Sequence, residues 1–177
     1  MESDEKFNMA YDKLVMVEGG YTNGKNQVDD EPTNMGIKQS TLEKYLRNNP
    51  TKHFPSDVRD LTASQVKEIY KNQYWDNTNI GKINNDRIRN AVFDMGVMSG
   101  PVISTKTLQQ TLNEVFGEML PVTGYLGKQT IGVINSIPEN RVDDFMMVLV
   151  KNRLQSLRKM TNWPTACVGW TVRTQAY

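Results

Sequence analysis

Near the start of the chain Phe7, Ala10, Tyr11, Leu14 and Val15 are apolar and regularly spaced. Their i, i+3, i+4, i+7, i+8 spacing is one face of an amphipathic helix. Ser3 is its expected N-cap, with Asp4 and Glu5 favourable in the first turn, and Gly19-Gly20 is the expected stop. Residues 21–37 are polar and turn-rich, with Asn23-Gly24, Asp29-Asp30 and Glu31-Pro32; they read as a loop with room for a short hairpin. Ser40-Thr41-Leu42-Glu43 and Thr62-Ala63-Ser64-Gln65 read as capping boxes. The first opens a helix ending near Asn48-Asn49-Pro50, the second a helix through Val66, Ile69, Tyr70 and Tyr74. Further helices are predicted around Ile88, Val92 and Met95, around Leu108, Leu112 and Phe116, over Thr130 to Ile137, and from Val142 to Leu157, the longest. The aromatic tail, Trp163-Pro164 and Gly169-Trp170, reads as irregular chain packed back on the core. With no alternating strand pattern of useful length, the chain predicts a mainly α fold, with a short β-hairpin after the first helix.

Composition narrows the chemistry. The 177 residues suit one domain, or one with a small lobe. A 38% hydrophobic and 23% charged content is that of a folded protein. The net charge of +1 and the lack of a basic, aromatic-interleaved stripe speak against nucleic-acid binding. The one cysteine, Cys167, allows no internal disulfide or cysteine-based metal site, and the one histidine, His53, reads as a solvated loop residue between Pro50 and Pro55. Cys/His catalysis and Ser-His-Asp triads are thereby disfavoured, and no metal or organic cofactor is implied. The ten methionines read as core fillers. No apolar run approaches the roughly 20 residues of a membrane span, so no membrane insertion is expected. The acidic N-terminus does not resemble a signal peptide, so synthesis in the cytoplasm is expected.

One residue breaks the pattern of the first helix. Glu18 lies four residues after Leu14 and seven after Tyr11, which puts a carboxylate on the face that should be buried. Apolar surroundings disfavour the ionised form and raise the pKa, as a general acid near neutral pH requires. Taken alone, a helix-end Glu swung out to solvent is an equally good reading.

Glu18-Gly19-Gly20-Tyr21, followed by Thr33-Asn34-Met35-Gly36-Ile37, resembles the opening of glycoside hydrolase family 108, the N-acetylmuramidases found as phage endolysins and in bacteria. The similarity continues through Ile69 to Trp75, Val92 to Gly100, Leu108 to Leu112, Gly127 to Thr130 and Trp163-Pro164-Thr165. These matches follow in order over nearly the whole chain. The resemblance implies a lysozyme-like helical fold with a catalytic lobe over residues 1–100. It implies as well a helical, peptidoglycan-binding-like lobe over 101–177, packed on the first as one compact unit. It also implies that Glu18 is the catalytic acid. Two departures stand out. Asp30-Glu31 occupy the place of the family's Gly-Gly before Thr-Asn, and Thr123-Gly124 replaces an Asp-Gly of the second lobe.

Glycosidic cleavage needs a proton for the leaving oxygen and a carboxylate to steady the oxocarbenium charge or activate water. Asp29 is the first candidate for that carboxylate and Asp30 the second, although either alone reads as a solvated turn residue. Thr33, fifteen residues after Glu18, is placed like the Thr that positions water in the related phage-type lysozymes; as a bare sequence feature it is as well a turn hydroxyl. Tyr21, Tyr74 and Trp75 are candidates to stack on sugars, though aromatics at helical spacing usually belong to a core. Asp94 is a weaker substrate candidate, better read as a cap or ion-pair partner. The expected protein is thus a monomeric muramidase acting on peptidoglycan glycan strands, by resemblance a phage endolysin. Release by a holin or a secretion apparatus would bring it to the periplasm of a Gram-negative host. A lytic transglycosylase, which needs one acid, and a non-catalytic wall-binding protein are the alternatives.

Overall fold

The computed structural model describes residues 2–15, 21, 23, 31–160 and 163–174. Within them the chain forms α1 (Glu2–Val15), β1 (Thr33–Asn34), β2 (Ile37–Lys38), α2 (Gln39–Asn48), α3 (Ala63–Tyr70), α4 (Asp86–Ser99), α5 (Pro101–Phe116), α6 (Lys128–Asn135), α7 (Val142–Leu157) and α8 (Trp163–Thr174). Short 3-10 turns at Val58–Asp60, Ile80–Lys82 and Glu139–Arg141 and a π-helical turn at Lys71–Asp76 connect them. This is the mainly helical fold, with a two-stranded hairpin after the first helix, that the pattern predicts.

The centre of the molecule is α4, buried without interruption from Ile88 to Gly96. A helix covered on all sides is the pillar of a core, not an amphipathic surface element. Phe7 of α1 packs edge-on to Phe93 of α4 (centroids 6.0 Å apart) and to Trp75 (5.4 Å), and Trp75 meets Phe93 at 5.5 Å. On its other side α4 carries α5 and α7, and Leu108, Leu112, Phe145 and Leu149 join the same hydrophobic cluster as Phe7 and Leu14. Residues before and after position 100 therefore share one core. Gly100 makes the tight turn between α4 and α5 at φ +85°, a region that favours glycine.

α4 also buries charge. Asp94 is wholly enclosed, and its two oxygens meet Arg153 of α7 and Arg173 of α8, the latter through Nε at 2.8 Å and Nη2 at 2.7 Å. The ion-pair reading of Asp94 is the one the fold adopts.

Four local expectations need correction. α1 already includes Ser3, so that residue is not an N-cap; the stop at Gly19-Gly20 lies outside the described residues. α2 starts at Gln39 with no side-chain cap from its N-cap residue, Lys38. Instead the Glu31 carboxylate accepts from the backbone N–H of Ser40 and Gln39 N–H reaches Pro32 O at 3.0 Å, so the cap comes from the loop. A carboxylate there also favours the positive end of the helix dipole. The capping box at Thr62 and Gln65 forms as expected. Third, the tail is not irregular: Trp163–Thr174 is a helix, α8, packed on α7. Gly169 and the β-branched Thr171 and Val172 dilute its helical signal, and tertiary packing decides the outcome. α5 and α7 are equal in length at 16 residues each.

α2 is held to α3 by Tyr45, whose hydroxyl donates to Glu68 Oε1 at 3.0 Å while its ring packs, tilted by 46°, on Phe54 with centroids 5.1 Å apart. Burial, then the hydrogen bond to Glu68 and its charge, push the Tyr45 phenol up from 10.0 to about 12.

Two outcomes are expected. Asp94→Ala, which strands two guanidinium groups, should lower unfolding stability by roughly 3–5 kcal/mol in urea titrations. On the alkaline side the unfolded chain loses the Tyr45 proton before the folded chain does. Stability should therefore be undiminished by this group below pH 10.0 and decline as pH rises towards about 12; Tyr45→Phe should flatten that decline in melting curves.

Candidate active site

The hairpin turns at Met35 (φ +46°) and Gly36 (φ +78°), with Thr33 opposite Lys38 and Asn34 opposite Ile37. Two successive positive φ values are the signature of a type I′ turn. Gly36 accepts this freely, whereas at Met35 it costs about 1–2 kcal/mol. The surroundings hold it there. Asn34 is buried and donates through Nδ2 to Val58 O at 2.8 Å, and the Tyr70 hydroxyl donates to Met35 O at 3.2 Å.

Tyr70 is the joint of this region. Its ring lies 5.6 Å from Tyr11 of α1 and 5.8 Å from Tyr74, while its hydroxyl holds the hairpin. The π-helical turn that follows makes this possible. In a continued α-helix Trp75 would point about 140° away from Tyr70. The wider i→i+5 turn, a feature frequent at functional sites, sends Trp75 into the core beside Phe7 and leaves Tyr74 at the surface of a cleft.

That cleft has a volume of about 460 Å³ and is lined by Ser40, Thr41, Lys44 and Arg47 of α2, Gln73 and Tyr74 of the π turn, and Gly100 and Pro101 at the start of α5. It falls within the range of small-ligand sites. Its lining carries two cations and no carboxylate.

The candidate residues separate into three groups. Glu18, Asp29 and Asp30 lie outside the described residues. Tyr74 lines the cleft, and Tyr21 is 44% exposed. Tyr21 acts through space on the Arg59 guanidinium, whose pKa is raised mainly by its hydrogen bond and charge pairing with Asp57; Arg59 O also lies 3.5 Å from Asn34 Nδ2 at the hairpin. Thr33 opens the hairpin, half-buried, its Oγ1 donating to Glu31 O at 3.3 Å. The third group is in the core. Trp75, 2% exposed, offers no ring face to a sugar, and Asp94 is fully buried against its two arginines, so neither reaches a substrate from the positions the structure gives them. Sequence reasoning passed over Lys44, Arg47 and Gln73. They sit on polar helix faces, where charge usually means solvation, and only their convergence on Tyr74 across the cleft distinguishes them. Among the described residues no cluster of three or more His, Cys, Asp or Glu side chains is arranged to hold a metal ion, and no helix is long and apolar enough to cross a membrane.

The model of the family described as glycosyl hydrolase 108 matches residues 11–100, about half of the chain and the stretch that contains the end of α1 from Tyr11, the hairpin, the Tyr70 joint and α4. The chain belongs to the glycosyl hydrolase 108 family. It is therefore a glycoside hydrolase, as its motifs imply. Among solved structures it is similar to Brucella abortus SagA, with a TM-score of 0.77 and 25% identity over 98% of this chain and 91% of that one. The likeness thus extends through α5 to α8, beyond the family match. No curated protein sequence matches the chain.

In a glycoside hydrolase of this build, Tyr70 would set the hairpin relative to α1. Tyr70→Phe should lower stability by about 1 kcal/mol through loss of the hydrogen bond to Met35. It should lower kcat more than it raises KM in a wall-lysis assay, because the loss is of positioning and not of binding.

Proposed function

We propose that the protein is an N-acetylmuramidase that hydrolyses the MurNAc–GlcNAc β-1,4 bond of peptidoglycan. The observation that carries this reading is the Tyr70 joint within the family match. It ties the α1 face that leads in sequence to Glu18 to the hairpin that begins at Thr33. Glu18 is the general acid, kept protonated by the apolar face to which its spacing from Tyr11 and Leu14 assigns it. Asp29, or failing it Asp30, is the ionised carboxylate that steadies the oxocarbenium ion or activates water. Thr33 orients that water, and Tyr21 and Tyr74 offer ring faces to sugars. Residues 1–100 form the catalytic lobe, and residues 101–177 support it and contribute to wall binding. The enzyme acts as a monomer, as a phage endolysin released to the periplasm by a holin or by a secretion apparatus.

One observation favours a second reading. Glu31 stands where the family has glycine and is engaged in capping α2, so the acidic loop is altered beside the candidate second carboxylate. A lytic transglycosylase needs only the acid, since the substrate's own hydroxyl closes a 1,6-anhydro ring.

Glu18→Gln should abolish release of soluble fragments from purified sacculi and leave the melting temperature near that of the native protein; retained lysis rejects the acid assignment. Mass spectrometry of the native products separates the two chemistries, reducing MurNAc ends marking hydrolysis and anhydro ends transglycosylation.

A further inference from the structure

Lys44 and Arg47 are three residues apart on α2, so both stand on one face, opposite the side that buries Leu42 and Tyr45. Both are exposed, and both line the cleft faced by Gln73, Tyr74, Gly100 and Pro101. Neighbouring cations are paired: Lys52 with Glu68, Arg59 with Asp57, Lys71 with Asp76. Lys44 and Arg47 make no ion pair or side-chain hydrogen bond among the described residues. Glu43, one turn before Arg47 and spaced to pair with it, instead accepts from Gln39 Nε2 at 3.3 Å, and Gln39 is in turn held by Ser56 O at 2.7 Å. The cleft thus presents two unanswered positive charges among neutral polar groups and one aromatic ring.

Sugar rings carry no charge for them to meet. On a peptide-bearing wall strand the lactyl carboxyl of MurNAc is consumed as an amide, and the anions nearest the glycan are the carboxylates of the stem peptide. We propose that Lys44 and Arg47 bind stem-peptide carboxylates, so that the enzyme selects peptide-substituted over naked glycan. This rests on the muramidase reading and specifies its substrate. Arg47 can take a carboxylate through two parallel N–H donors, and Lys44 adds a point charge one turn away. The cleft volume of about 460 Å³ admits a few peptide residues beside the sugar that Tyr74 contacts.

The test compares native protein, Lys44→Ala/Arg47→Ala and the charge-conserving Lys44→Arg/Arg47→Lys on two substrates: intact sacculi, and the same strands stripped of peptide by an amidase, with the lactyl carboxyls so freed capped again as methylamides. The native enzyme should show a higher kcat/KM on peptide-bearing strands. The double alanine variant should reduce that ratio about five- to tenfold, mainly through KM, as expected for two partly exposed charge contacts. The charge-conserving variant should keep most of it. The native preference should shrink with added salt and the alanine variant's should not. An unchanged ratio, or an equal loss on both substrates, overturns the proposal. Calorimetric binding of a disaccharide-tetrapeptide against the disaccharide with its lactyl carboxyl capped as a methylamide gives a readout independent of turnover. If the native protein cleaves neither substrate, the muramidase reading fails, while a peptide-dependent affinity that vanishes in the alanine variant still supports the carboxylate site. If instead phosphate-bearing wall polymer competes with binding and the tetrapeptide does not, the anion is phosphate and the peptide assignment is wrong.

Discussion

A carboxylate with no access to water is costly by several kcal/mol unless its charge is met and its lone pairs are filled. Asp94 satisfies that condition only because three helices converge on it. α4 supplies the acid, α7 supplies Arg153, and α8 supplies Arg173. Apolar packing between α4, α5 and α7 makes the core, but such packing tolerates small slides. A buried ion pair with two guanidinium partners does not, since each displacement exposes a charge to a medium that cannot screen it. The far half of the chain is thus registered against the half matched by the family model.

The same helix sets the other side of the molecule. Phe93 supports Phe7 and Trp75, and Trp75 is turned inward by the π-helical turn, so the turn's other aromatic, Tyr74, faces the cleft. Tyr70 then relays the position of α1 to the hairpin through one ring contact and one hydrogen bond. The strained Met35 turn is tolerated because Asn34 and Tyr70 hold it from two directions. Such strain, paid by the surroundings, is common beside functional sites.

Much of this was legible in residues whose signal is local. The face of α1, the Thr62 cap, the helices around Val92, Leu112 and Phe145, and the family motif all follow from spacings of a few residues. What was not legible depends on partners far apart in sequence. Nothing near Ser40 shows that Glu31 will cap α2 from the loop, and nothing near Trp163 shows that α7 will hold a Gly- and β-branched-containing segment as a helix. Trp75 matched the pattern of a sugar-stacking aromatic as well as that of a core residue, and only the π turn decides between them. Asp94 was rightly read as a pairing residue, but its partners lie 59 and 79 positions away. Lys44 and Arg47 looked like ordinary solvated charges until the cleft gathered them.

The reach from Asp94 to Arg173 also bears on how the chain is made. Translation delivers α4 long before α8, and domains generally fold from the amino-terminal side as they emerge. Until residue 173 has been synthesised, Asp94 lacks one of its two counter-charges, and the pillar helix cannot settle into its final surroundings. Maturation of the fold is thereby postponed until α8 has been made, 79 positions after Asp94, so a nascent chain that still lacks α8 stays unfinished.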